Sequence, residues 1–140
     1  MKNTFFALIT AFVLLSCQDK KAENFNLDLL NGYWEIEEVT LADGSKKEYK
    51  MNENIDFFEI KSDSGFRKKV TPQFDGTYLV NDADEKIKIE KLADGTYISY
   101  KTAYATWKEK IVTLSEAQLI LENKQQIKYQ YKKPIPFTIK

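Results

Sequence analysis

The chain has 140 residues, with 21 Lys plus Arg against 21 Asp plus Glu, one Cys and no His. That length suits one domain around one core, and the even charge balance argues against a nucleic-acid partner, because phosphate binding needs a positive surface that releases counterions. Without His there is no Ser-His-Asp or Cys-His catalysis, no His-bound zinc and no ordinary near-neutral general base.

Residues 1–16 read as an export signal. Lys2 supplies a positive start, and Phe5 to Leu15 form an apolar stretch the length of a secretory core segment. A bilayer span needs roughly 20 apolar residues, so this stretch does not cross a membrane as a helix. It closes on Leu14-Leu15-Ser16-Cys17, which holds the only cysteine. A small residue before a lone Cys, with two leucines ahead, resembles the lipobox of bacterial lipoproteins. That resemblance implies removal of residues 1–16, a diacylglycerol on the Cys17 thiol and an acylated new amino terminus. The alternative is an ordinary signal cut near Ser16 that leaves Cys17 a free thiol, which would be a liability in an oxidising compartment.

Removing residues 1–16 leaves 124 residues, with 20 basic against 21 acidic side chains. No second Cys exists for an intrachain disulfide, so stability must come from an apolar core rich in aromatics. Gln18 to Asn24 is polar and lacks periodicity, as suits the lipid-anchored tether expected over residues 17–25. Gln18 is not the acidic residue that in some bacteria retains lipoproteins at the inner membrane. Asp19-Lys20-Lys21 matches poorly the acid-rich tether associated with surface export. The expectation is an outer-membrane anchor facing the periplasm, with surface exposure as the alternative.

The folded domain is expected over residues 26–140. Asn26 can cap a single helical turn that Gly32 ends. From Tyr33 on, the punctuation is that of a β protein. Turn signals fall at Asp43-Gly44, Asp63-Ser64-Gly65, Asp75-Gly76, Asn81-Asp82, Asp94-Gly95, Glu109-Lys110 and Glu122-Asn123-Lys124, at the spacing of a meander. Lys86-Ile87-Lys88-Ile89-Glu90 alternates cleanly, as do Ile127, Tyr129 and Tyr131, which suits a sheet wetted on one side. In the first strand Trp34 and Ile36 share a face while Val39 and Leu41 have opposite parity, so a β-bulge is expected near Glu37-Glu38. Ile98, Tyr100, Thr102 and Tyr104 share a face that Trp107 leaves, which calls for a bulge or a turn near Ala103–Ala105. Leu41-Ala42-Asp43-Gly44 and Leu92-Ala93-Asp94-Gly95 read as independent turns, since nothing repeats around them at a fixed period. Short turns throughout favour an all-β, up-and-down antiparallel barrel of about eight strands over a Greek-key sandwich.

Leu30-Asn31-Gly32-Tyr33-Trp34 resembles the Gly-x-Trp opening strand of lipocalins. With Phe74-Asp75-Gly76-Thr77-Tyr78, Gly95-Thr96-Tyr97 and the late run Ile111-Val112-Thr113-Leu114-Ser115 followed by Leu119-Ile120-Leu121, the chain is similar to small lipocalin-like lipoproteins of Bacteroidetes-type bacteria over residues 27–133. The resemblance implies a barrel plugged by a short helical turn, with Gly32 and Trp34 structural and Trp34 packed across the closed base. No long C-terminal helix is visible, and no basic residue clearly matches the one that stacks on that Trp in lipocalins.

An eight-stranded barrel is just wide enough for side chains or one small ligand. Phe58, Ile60, Tyr78, Val80, Ile98, Tyr100, Tyr104, Leu119, Leu121 and Tyr129 share the inward parity. Of these, Phe58, Tyr78, Ile98, Tyr100, Tyr104 and Tyr129 are the candidate contacts to a small apolar or amphipathic ligand; as ordinary core they would simply fill the barrel. The other reading is an envelope interaction protein with a filled barrel and a protein partner. Lys46-Lys47-Glu48-Tyr49-Lys50 and Arg67-Lys68-Lys69 could form basic rims, though such runs usually lie on solvated faces. Asp56, Glu59, Asp82, Asp84 and Glu85 read as surface acids, so no enzyme is expected. Asn81-Asp82-Ala83-Asp84-Glu85 lacks the central Gly and distal Glu of a calcium loop, and no metal or cofactor is implied.

Overall fold

The computed structural model describes residues 23–135. The expected export signal, Cys17 and most of the expected tether lie outside the described residues, as do residues 136–140. Among the described residues a lone 3₁₀ turn over Leu27–Leu30 precedes nine strands: β1 (Gly32–Thr40), β2 (Lys46–Glu48), β3 (Ile55–Lys61), β4 (Ser64–Pro72), β5 (Tyr78–Leu92), β6 (Gly95–Lys101), β7 (Thr106–Leu114), β8 (Gln118–Glu122) and β9 (Lys128–Lys132). All pairings are antiparallel, and β1 also pairs with β9, which closes eight strands into a barrel. The extra strand, β2, folds back on the second half of β1, while the first half of β1 pairs with β3. The chain is thus the all-β, up-and-down barrel with a short N-terminal helical turn that its sequence predicts.

Local chemistry sets most of these boundaries. The Asn26 side chain accepts from the Asp28 amide and starts the 3₁₀ turn. Asp43 and Asp75 each accept from the backbone amide two residues on, tightening the Asp-Gly turns. The expected bulge in β1 lies at Glu37, between the pairs Ile36–Tyr131 and Glu38–Gln130. Where β1 changes partner from β3 to β2, Asn52 fills the gap by donating to the Ile36 carbonyl at 2.9 Å and the Glu35 carboxylate at 3.1 Å.

Two expected turns are not turns. Asn81-Asp82 sits within β5, where the register with β4 slips between the pairs Lys68–Asp84 and Val70–Val80 and residues 81–83 form a wide bulge. Glu109-Lys110 is mid-strand in β7, with Glu109 buried and paired in register with Ile98. The missing reversal falls at Thr102–Ala105, where the Thr102 amide and the Ala105 carbonyl close the loop at 2.9 Å. That turn resolves the parity break between Tyr104 and Trp107.

Because the strands meander, the 3₁₀ turn shares one barrel end with the β3–β4, β5–β6 and β7–β8 turns. The β1–β2, β4–β5, β6–β7 and β8–β9 turns share the other. The first end is closed. Leu30 and Trp34 are fully buried, and Trp34 Nε1 donates to the Leu30 carbonyl at 2.8 Å. Asn31 accepts from the Ile60 amide at 2.6 Å, which pins the plug to β3. A basic residue does cover the tryptophan: the Lys133 ammonium lies 3.7 Å from the Trp34 ring centroid and donates to the Asn31 carbonyl. It escaped the sequence reading because it follows the last strand, far from Trp34 along the chain. Gly32 enters β1 at φ +108°, a conformation that disfavours any side chain. At Gly65 a Cβ would fall 1.8 Å from the Glu59 carbonyl oxygen, so β3 and β4 can approach there only without one.

Candidate functional site

The deep barrel is packed rather than hollow. Leu30, Trp34, Phe58, Ile60, Ile87, Ile89, Ile98, Tyr100, Ile111, Leu119, Leu121 and Tyr131 form one contiguous buried cluster. Phe58, Ile98 and Tyr100, three of the candidate contacts, are at most 1% exposed and belong to it. Tyr129 packs on its edge, half-buried, with its hydroxyl accepting from Asn123.

Above this apolar layer the interior becomes charged. Arg67, expected on a solvated rim, is buried at the centre of a cross-strand network. Its Nε and Nη2 both lie 2.5 Å from Glu85 Oε2, and Nη1 lies 3.6 Å from Glu109 Oε1. The guanidinium sits 4.3 Å from the Tyr100 ring centroid, and Trp107 stacks on that same tyrosine at 5.1 Å. Asp56, expected at the surface, is also buried and carries an ion pair with Lys69. The Lys69 ammonium approaches Asp56 Oδ1 outside hydrogen-bond alignment, so that contact is electrostatic.

Three carboxylates therefore face two cations inside the barrel. Burial pushes the Glu109 carboxyl above its ordinary value, against the opposing pull of Arg67 and Tyr100. The Tyr100 hydroxyl lies near Glu109 but completes no hydrogen bond, and burial holds its pKa well above the usual phenol range. This network ties β3, β4, β5, β6 and β7 together. Among the described residues no group of three or more acids and Cys could hold a metal.

An open cavity lies on the outer wall. Tyr33 points away from the core because Trp34 points in, and likewise Phe57 beside Phe58. Tyr33 meets Phe57 at 4.8 Å, and Phe57 meets Phe66 at 6.1 Å, giving an aromatic stripe across β1, β3 and β4. The wide bulge in β5 bends the β4–β5 arm so that Tyr78 lands flat on Tyr33, with centroids 4.0 Å apart and 15° between planes. Beneath it Ile55 and Val70 are buried outside the barrel core. Beside this stack runs a groove of about 550 Å³, lined mainly by Tyr33, Met51, Ile55, Pro72, Tyr78 and Ile135. Polar groups stand along its borders: the Glu35 carboxylate, the amides of Asn52 and Gln73, and the ammonium groups of Lys50 and Lys132. Its volume falls within the range of small-ligand sites, and its apolar walls with a few polar groups suit an amphipathic molecule.

The six candidate contacts thus divide. Phe58, Ile98 and Tyr100 meet inside the barrel, with Tyr129 at the edge of the same core, whereas Tyr78 lines the outer groove. Tyr104 is 98% exposed at the tip of the β6–β7 turn, and Val80, of the same expected parity, is 53% exposed. Tyr78 and Val80 share a strand with buried Ile87 and Ile89 but have the opposite parity, and the bulge, with three residues against one, leaves that parity unchanged, so they face outward; Tyr104 lies in a turn. The groove residues Tyr33, Met51 and Ile55 were missed. One signal was present: Tyr33-Trp34 and Phe57-Phe58 are adjacent aromatics within strands, and adjacent positions point to opposite faces, so an apolar surface outside the barrel is implied.

A family model described as a lipocalin-like domain matches residues 30–121. A crystal structure of a lipocalin-like protein from Bacteroides uniformis is similar at 18% identity, with a TM-score of 0.49, covering 76% of this chain and 99% of that one. The comparison with curated proteins finds no match.

Proposed function

The chain belongs to the lipocalin-like domain family, and from that premise we propose that it is a non-catalytic binding module for a small amphipathic ligand, held at the bacterial cell envelope through lipid on Cys17. The fold supports a binding role, since lipocalin-like proteins are generally non-catalytic binders. The observation that carries the ligand reading is the outer groove under the Tyr33–Tyr78 stack. It is apolar along its walls and open to a polar end group at Lys50 and Lys132. The filled interior argues against the barrel centre as the site, so the ligand lies outside it, with Tyr78 as the candidate contact that it uses.

The anchor is read from Leu14-Leu15-Ser16-Cys17, and Gln18 with Asp19-Lys20-Lys21 supports an outer-membrane position facing the periplasm, with surface exposure as the alternative. Metabolic labelling with palmitate tests it: label is expected on the wild type and absent from Cys17→Ser, and label that persists in the variant removes the anchor. Calorimetric titration with decanoate, a small amphipathic carboxylate, tests the ligand site. Binding by the wild type with a loss of at least about tenfold in Tyr78→Ala is expected; equal binding by both moves the ligand elsewhere. A second role, as an envelope interaction protein, is supported separately by apolar side chains exposed around the open rim: Leu41, Met51, Leu79, Val80 and Tyr104.

A further inference from the structure

Closing a barrel removes sheet edges, yet stretches of edge remain among the described residues, and two of them contrast. One is the outer edge of β2, three residues long and made of exposed Lys46, Lys47 and Glu48. Short length and charge are the usual ways in which an edge is protected from pairing. The other edge is built differently. β5 pairs with β4 over Tyr78–Val80 and Asp84–Lys88 but meets β6 only from Lys86 onward, so residues 78–85 have no ladder partner on their second side among the described residues. Residues 79–84 are all exposed, and adjacent Leu79 and Val80 are 65% and 53% exposed.

We propose that this free edge of β5 is a docking site for an extended segment of a partner protein, which adds as a strand and ends in a carboxylate held by Lys86 and Lys101. Only a polypeptide offers the alternating donors and acceptors that a bare strand edge needs, with apolar side chains to cover Leu79 and Val80. The space is present. A cleft of about 730 Å³ separates the β5 arm from the β6–β7 turn, floored by Arg67 and Lys69 and flanked by exposed Tyr104. Eight residues of edge span about 26 Å at about 3.3 Å per residue, the length of an ordinary strand.

Charge selects the end of the incoming segment. Lys86 and Lys101 lie directly opposite each other in the β5–β6 ladder at the foot of the cleft, and neither has an ion pair among the described residues. Like charges so placed cost stability in the free protein, and a carboxylate between them relieves it. The β6–β7 turn blocks further extension at that point, so a strand arriving from the tip of the arm stops there. A segment that reaches the lysines with its carboxyl terminus runs parallel to β5. The Asn81–Ala83 bulge shortens the best pairing to the stretch around Tyr78–Val80 and the stretch around Asp84-Glu85.

The probe is a synthetic peptide, acetyl-Thr-Ile-Thr-Val-Thr-Val, with a free C-terminal carboxylate, added to the full-length protein and followed by amide hydrogen exchange. Slowed exchange is expected within residues 78–85. Binding is expected to weaken about tenfold for the amidated peptide and for Lys101→Glu, the loss of one charge-assisted contact. Unchanged exchange at residues 78–85, or equal affinity for free and amidated peptide, overturns the proposal. Concentration-dependent protection of this edge without peptide also overturns it, by making the occupant a second copy of the chain.

Discussion

The two ends of the barrel solve the same packing problem with opposite materials. At the closed end, Leu30, Trp34, Ile60, Ile89 and Leu119 fill the interior with apolar side chains, and the polar atoms there are satisfied locally by the Leu30 carbonyl and by Asn31. Toward the open end the interior is occupied by Arg67, Glu85, Glu109 and Asp56, while apolar side chains such as Leu79, Val80 and Tyr104 face solvent. Apolar packing is non-directional and accumulates with area, so the closed end is the source of stability. A buried charge network is costly to desolvate and fixes geometry more than it stabilises. It holds β4 and β5 in the alignment from which the bent arm leaves the wall. The inversion toward the open end thus frees apolar surface outside the barrel, where it can meet something other than the core.

Trp34→Ala separates the two ends most forcefully. It removes the largest fully buried side chain, the bond to Leu30 and the seat of Lys133, and is expected to lower the unfolding free energy by about 4 kcal/mol. Urea denaturation measures it. Arg67→Met is the corresponding break in the upper network. It strands Glu85 and Glu109 without their cation, and an expected loss of about 3 kcal/mol follows the usual cost of breaking a buried pair. A loss as large as that of Trp34→Ala would show that the two ends contribute alike.

Glu109 gives the upper network a pH signature. Its folded pKa lies above the ordinary value of 4.5 because of burial, so between that value and the raised one the folded state holds a proton that the unfolded chain has released. Stability from this group is therefore present in full below about pH 4.5 and declines as pH rises through the folded value. Glu109→Gln keeps the neutral shape and is expected to remove that decline in thermal melts taken across the window. Arg67→Met is expected to extend it to higher pH, because the cation that favours the ionised form is gone. The smallest effect belongs to the outer wall. Tyr78→Ala removes the stacked pair with Tyr33 and is expected to cost about 1 kcal/mol in urea denaturation.

The sequence made the closed end more legible than the open end, for a physical reason. Gly32-Tyr33-Trp34, the 3₁₀ turn and the clean alternation of Ile87 and Ile89 are local patterns, and the closed end is built from them. Arg67 sits in Phe66-Arg67-Lys68-Lys69, a run that looks solvated. What allows its burial is Glu85 and Glu109, which are remote along the chain and become neighbours only through strand register. Asn81-Asp82 carried turn chemistry but was overridden by the long β4–β5 ladder on either side, which turned it into a bulge. Of the candidate contacts, Phe58, Ile98 and Tyr100 obeyed parity because no bulge intervenes between them and the core. Tyr78 faces outward because it lies in the same strand as Ile87 and Ile89 with the opposite parity, a fact hidden while Asn81-Asp82 read as a turn between two strands.

The most direct test of binding outside the barrel is to titrate decanoate into the isotope-labelled protein and follow the aromatic and methyl NMR signals of both regions together. The expected result is a concentration-dependent shift of Tyr33, Tyr78, Met51 and Ile55, while Trp34, Ile98 and Leu121 stay unmoved. Shifts centred on Ile98, Phe58 and Leu121, with the Tyr33–Tyr78 pair silent, would place the ligand inside the barrel and contradict the account.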